Sequence, residues 1–291
     1  MLAHHCRRAT VVLYNLTTNM WLKSKSALIT GASRGIGRGI ALKLAENVAA
    51  KICINYLSQE SEAKQTLSKV RELGADGFIC KADVSNPAEI NAMYEQVKRE
   101  FGTLDIMVSN ARVELGTGFY QSPLDIPLDK FELAFDSQVR AFHLLVREMV
   151  ELLPKDGGGR IIAISYSPSG RTGSWQPWFA MGAAKAAVDA LSRYYAVALA
   201  RRGVTVNVVS PGATDDSVLN GLPPEVFKMI KDWHEGGWTP MRRMGTPADI
   251  GDAVAMLCTE KAGFVTGQTI HVDGGASLMD PVFPLPIQGI T

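Results

Sequence analysis

Short apolar runs alternate along the chain with stretches whose apolar residues recur every three or four positions. Ser26–Thr30, Lys51–Tyr56, Gly77–Cys80, Leu104–Ser109, Arg160–Ser165, Val204–Ser210 and Gln268–Val272 read as strands. Between them, Ile36–Asn47 sets Ile36, Ile40, Leu42, Leu44 and Ala45 near one helical stripe. Glu60–Leu73 is a polar amphipathic helix closed by Gly74, and Pro87–Phe101 is a helix led by proline. Asp129–Leu153 reads as one long helix, closed by Pro154 and the glycines at 157–159. Phe179–Arg202 is a second long helix and Thr246–Cys258 a shorter one. Nearly continuous apolar strands separated by helices predict a parallel sheet covered on both faces. The expected fold class is α/β, a single doubly wound domain with a seven-stranded parallel sheet over residues 26–280. Residues 1–25 form an extension. The apolar, Pro-rich residues 281–291 form a tail, expected on a surface or against a partner subunit.

Composition narrows the class. The 291 residues are 46% hydrophobic and 20% charged, which suits a packed domain and not a disordered chain. Thirty basic against 29 acidic residues leave +1, so no strong field favours nucleic acid or an anionic membrane. No apolar run reaches the roughly 18 residues of a membrane span. Cys6, Cys53, Cys80 and Cys258 form no CxxC pair and read as reduced thiols of a cytoplasmic protein. The histidines show no HExxH-like spacing, so no metal site is expected. Residues 1–45 carry no acid but include Arg7, Arg8, Lys23 and Lys25, which is also the pattern of an organelle-targeting segment. Translation from Met20 would lead straight into the first strand, so residues 1–25 are expected to be non-structural.

Gly31-Ala32-Ser33-Arg34-Gly35-Ile36-Gly37 follows the first strand and opens the first helix. Glycines there allow a tight turn and close approach of the backbone to a pyrophosphate, and the helix N-terminus supplies N–H donors. With these residues the chain resembles the short-chain dehydrogenase/reductase family. TGASRGIG at 30–37 matches that family's TGxxxGxG form. The likeness continues through Asp83-Val84, Ser109-Asn110-Ala111, the lysine of MGAAK at 181–185, Ser210-Pro211-Gly212 and Val272-Asp273-Gly274-Gly275. It implies a Rossmann fold and a nicotinamide cofactor. It also implies homodimers or homotetramers built through the two long helices and the last strand.

An NAD enzyme usually carries an acid near the end of strand two for the ribose 2′-hydroxyl. Here that end reads Asn55-Tyr56-Leu57-Ser58-Gln59, and Arg34 stands in the glycine turn where it can pair with a 2′-phosphate. NADP(H) is therefore the expected cofactor, contacted by Gly31, Ser33, Arg34, Gly35, Ile36, Gly37, Asn55, Tyr56 and Ser58. The resemblance adds Asp83 and Val84 near the adenine, Asn110 and Ala111 near the ribose, Lys185, and Pro211-Gly212-Ala213-Thr214. As alternatives, Asp83 is a helix N-cap and Asn110 a loop cap.

The catalytic positions depart from the family pattern of Asn, Ser, Tyr and Lys. Lys185 is kept, but Met181 stands at the Tyr position, Tyr166 at the Ser position and Gln138 at the Asn position. Arg112 replaces the glycine of the NNAG-like loop. Ser165-Tyr166 followed by MGxAK resembles the enoyl-thioester reductase branch, with Trp178 where that branch has a second Tyr. Trp178 and Arg140 also resemble the Trp and Arg of fungal alkaloid reductase/cyclases of this family. The candidate catalytic residues are thus Lys185, Tyr166, Trp178, Arg140 and Gln138, each with a packing or surface reading beside it.

A ketone leaves an alkoxide that needs a proton at once, hence the usual Tyr. An iminium is neutralised by hydride alone, and a conjugated C=C sends its charge to a remote oxygen. The site therefore reads as a reductase of an activated C=N or C=C bond. Ketone reduction by a relocated donor, a redox-silent cyclase or isomerase, and an NADP(H)-binding protein are the alternatives. Residues 213–237 read as a substrate lid, apolar through Leu219, Leu222, Val226, Met229, Ile230 and Trp233. With Arg112, Met181, Leu219 and Trp233 as candidate contacts, a bulky apolar small molecule is the expected substrate.

Overall fold

A computed structural model describes residues 22–47, 49–113, 122–166, 179–216 and 219–279. Within them β1 (Ser26–Ile29), β2 (Lys51–Tyr56), β3 (Asp76–Lys81), β4 (Ile106–Ser109), β5 (Arg160–Ile164), β6 (Thr205–Pro211) and β7 (Thr269–Val272) form one sheet in the order 3-2-1-4-5-6-7. Every pairing is parallel; Ile29 lies opposite Ile54 on β2 and Val108 on β4. All residues of β1, β5 and β6 are buried, as strands covered on both faces must be.

Helices α1 (Gly35–Glu46), α2 (Glu60–Glu72) and α8 (Pro247–Cys258) cover one face, with Ile40, Leu44, Leu67, Ile250 and Val254 against Ile29, Ile54 and Val108. On the other face α3 (Pro87–Phe101), α5 (Ala141–Met149) and α6 (Phe179–Leu199) bury Ile90, Met93, Phe142, Leu145 and Val188 against Leu28, Met107 and Val208. α4 (Leu128–Phe135) precedes α5, and α7 (Pro224–Trp233) lies between β6 and α8. No helix among the described residues is long and apolar enough to cross a membrane.

The expected long helix 129–153 is three pieces: α4, a wide π turn over Asp136–Arg140, and α5. The extra residue of the π turn buries Ser137 and Gln138, and the Gln138 amide donates to the Ala111 carbonyl at 3.1 Å. The chain also leaves the helix at Met149, earlier than Leu153. Leu152 and Leu153 turn into the core there, and the Leu152 carbonyl accepts from the Leu104 amide at 2.9 Å. The remaining elements differ from expectation by one or two residues at their ends, except that Phe179–Arg202 finishes as a 3₁₀ turn over Ala200–Arg202. The extension expected at 1–25 is non-structural at most up to residue 21, because Leu22 is buried with its amide on the Asn47 carbonyl and Lys25 pairs with Asp105 at 3.0 Å; residues 1–21, Trp178 and the tail at 281–291 lie outside the described residues.

Candidate active site

The chemistry-bearing residues gather at the carboxyl ends of the strands. The strand order reverses between β1 and β4, the point where doubly wound sheets open a crevice. The glycine turn is tied there from both sides. Asn55 accepts the Gly31 amide at 3.1 Å and donates to the Cys80 and Ala82 carbonyls. Asn110 donates to the carbonyls of Thr30 (2.9 Å) and Gly31 (3.1 Å). The Thr30 hydroxyl accepts from the amides of Asn110 and Ala111. A Cβ on Gly37 would lie 2.3 Å from the Gly31 carbonyl and 2.6 Å from the Asn110 amide, so only glycine fits. Arg38 braces the turn by donating to the Ser33 carbonyl and to Glu62 and Thr66 of α2.

α1 begins without a side-chain cap and without an acid in its first turn, leaving the positive end of its dipole for an anion. Tyr56 is buried, Ser58 is exposed, and neither they nor Leu57 bring a carboxylate to the end of β2. A cradle that excludes side chains, an uncompensated helix N-terminus and an Arg34 in the turn fit the pyrophosphate and 2′-phosphate of a dinucleotide. Asn55 and Asn110 enter this site as the ties that shape the turn, with Ser33, Gly35 and Ile36 in the turn itself.

At the reacting end, Lys185 of α6 is buried and its ammonium donates to the Ile164 carbonyl at 2.5 Å. Burial pushes its pKa down to about 7, the charge of Arg112 pushes the same way, and Asp189 opposes them. Tyr166 follows β5 and is half-buried. Its hydroxyl lies 2.8 Å from where a Cβ on Gly182 would stand. The phenol therefore occupies the space over Gly182 in the first turn of α6. Burial raises the Tyr166 pKa, so the group stays a phenol and a donor at neutral pH. Met181 itself is 5% exposed and packs with Ala134, Ala180, Phe131 and Leu133.

The other candidates divide. Gln138 reaches the Ala111 carbonyl beneath the cofactor loop. Arg140 is spent on Asp136 of its own π turn at 3.1 Å and on the Ser85 carbonyl, in the loop after β3, at 2.9 Å. Asp83 accepts from the amide and hydroxyl of Ser85; the N-cap of α3 is Asn86, and Val84 is buried beside it. Pro211 ends β6, Gly212 packs against Asp273, and Thr214 bridges to Gly245 beyond Ala213. Leu219 is buried in a 3₁₀ turn, and Trp233 is exposed and stacked on Trp238 at 5.3 Å. Two residues of the site were missed at the level of sequence. Gly182 makes room for the phenol, and Asp189, four residues after Lys185, is the one acid in an otherwise apolar stretch.

Residues 31–277 match the family model described as Enoyl-(Acyl carrier protein) reductase. The chain is 36% identical over 264 residues to 1-cyclohexenylcarbonyl-CoA reductase of Streptomyces collinus, covering 88% of each chain. It is 29% identical over 265 residues to tetrahydroxynaphthalene reductase of Pyricularia oryzae, covering 88% of this chain and 91% of that one. The crystal structure of the angucycline C-6 ketoreductase LanV with bound NADP is similar at a TM-score of 0.79 and 30% identity, over 89% of this chain and 98% of that one. A glycine turn opening α1 at the sheet's reversal point, a buried lysine on α6 and these relatives agree: the chain belongs to the short-chain dehydrogenase/reductase family.

Proposed function

We propose that the protein is an NADP(H)-dependent reductase of a C=C bond conjugated to a carbonyl, in a bulky apolar substrate such as an enoyl thioester. One observation carries this reading: Tyr166, just after β5, sets its hydroxyl over Gly182, three residues before Lys185 on α6, while the helix position of the usual proton donor is Met181. When bound, NADPH supplies the hydride. Hydride adds at the β-carbon, and the π pair shifts onto the carbonyl oxygen. Tyr166 donates a hydrogen bond to that oxygen as charge gathers on it. The enolate then takes a proton at the α-carbon from solvent. Lys185, bonded to the Ile164 carbonyl, carries its positive charge below about pH 7. An iminium substrate would need no donor at this place, which is why Tyr166 favours C=C over C=N.

The chain's likeness to 1-cyclohexenylcarbonyl-CoA reductase supports this reading, whereas LanV and tetrahydroxynaphthalene reductase support reduction of a ketone with Tyr166 as relocated donor. NADPH consumption is to be followed with 1-cyclohexenylcarbonyl-CoA and with a 3-oxoacyl thioester. Turnover of the enoyl thioester is expected, with Tyr166→Phe lowering kcat by about 10²–10³. Turnover of the 3-oxoacyl thioester alone would overturn the C=C reading in favour of the ketone.

A further inference from the structure

α6 grips the end of β5 at two consecutive residues. The Lys185 ammonium donates to the Ile164 carbonyl, and the Ser165 hydroxyl donates to the Asp189 carboxylate. Lys185 and Asp189 stand four positions apart on one helix, so they share a face one turn apart. The next residue along the chain is Tyr166, whose hydroxyl lies over Gly182 of the same helix. Whatever fixes Ile164 and Ser165 against α6 therefore fixes the reach of the phenol.

Asp189 is not satisfied as a structural residue would be. Its Oδ1 is buried with no hydrogen-bond partner, a state that costs free energy and needs a reason. Among the described residues no direct ion pair joins it to Lys185, yet its charge is felt there. The groups facing it are Ser165 just after β5, Lys185 and Arg193 from α6, and His271 from β7; Lys185 in turn faces Arg112 from the loop after β4. Arg112 and burial both work against an ammonium at 185, and Asp189 is the opposing charge.

We propose that Asp189 is a positioning residue of this active site, pinning the β5 end to α6 so that Tyr166 meets the substrate oxygen, and supplying the counter-charge of Lys185. The inference rests on the reading that Tyr166 and Lys185 act together. Its second half can be tested without any substrate.

The test uses the full chain with ¹³C-labelled lysine, its Lys185 resonance assigned through Lys185→Arg and titrated by NMR. The wild-type midpoint is expected near 7. In Asp189→Asn it should fall by about one unit, and Asp189→Glu should restore it. In an activity assay the alkaline limb of kcat/KM should move down by the same interval in the Asn variant. An unmoved Lys185 midpoint in Asp189→Asn overturns the proposal. Should the Asn variant not fold, Ser165→Ala keeps the charge and removes the clasp. It should cut kcat more than it changes KM, with the Lys185 midpoint not lowered; an unchanged kcat there overturns the proposal. If the midpoint moves as stated while the enoyl thioester is not turned over, the function proposed above fails and the role of Asp189 stands.

Discussion

Gly182 and Lys185 show how the site and the stability of the fold pull in opposite directions. Alanine is a better helix former than glycine by about 1 kcal/mol. Yet a Cβ at 182 would stand 2.8 Å from the Tyr166 hydroxyl and drive it off. Gly182→Ala is expected to leave the melting temperature equal or higher while lowering kcat at least about tenfold, read from melting and rate measured on one preparation. Lys185 argues likewise. Its folded pKa lies near 7 against an ordinary 10.5, so between those values the unfolded chain holds a proton that the folded chain has released. Its cost to stability is therefore full below about pH 7 and fades as pH rises toward 10.5. Lys185→Met should be inactive, yet more stable than wild type at pH 7 by about 1–3 kcal/mol. Chemical denaturation at pH 7 and pH 10 should show that gap narrowing. At this scale the sequence singles out Lys185 and Tyr166 as candidates through the motifs that flank them. Gly182 and Asp189 were not readable, since their roles depend on a phenol and a hydroxyl arriving from another element.

Among the described helices, α8 has the most explicit start signal. Thr246 caps the Asp249 amide, the Asp249 carboxylate returns to the Thr246 amide at 2.7 Å, and Arg243 grips that carboxylate with two bonds of 2.8 Å. These donors hold the Asp249 pKa well below the usual carboxylate range. A depressed carboxyl contributes stability that is present above about pH 4 and is lost as pH falls through its folded value. Asp249→Asn should cost about 1 kcal/mol at pH 7 and remove part of the acid sensitivity, as melting curves from pH 3 to 7 would show. Strands and short helices could be read from period and punctuation to within a residue or two. The π turn at Asp136–Arg140 could not, because its cause is a hydrogen bond from Gln138 to the loop after β4 and not a local preference.

Taken whole, the molecule is a parallel sheet whose strand order turns outward at β1 and β4, with the glycine turn at that point. Its order follows from the alternation of apolar strands and helices together with right-handed crossovers, so the architecture was largely present in the pattern. A ligand that binds only the folded chain stabilises it by about 2.7 kcal/mol at one hundred times its dissociation constant. NADPH should therefore raise the melting temperature more than NADH at equal concentration. Arg34→Ala should cut that preference by about ten- to one-hundredfold in affinity. Equal shifts from the two cofactors in the wild type would remove the case for the 2′-phosphate.

The seam between α1 and α8 admits almost nothing. A Cβ on Gly39 would lie 2.3 Å from the Pro247 carbonyl, and one on Gly251 would lie 2.7 Å from the Gly39 carbonyl. The helix that opens at the phosphate turn is thus backed by a segment some two hundred residues later in the chain. During synthesis, a ribosome that has finished β6 has made every residue of that turn but not the helix that backs it. The clasp between α1 and α8 is in that sense a late event, closed only once α8 has emerged.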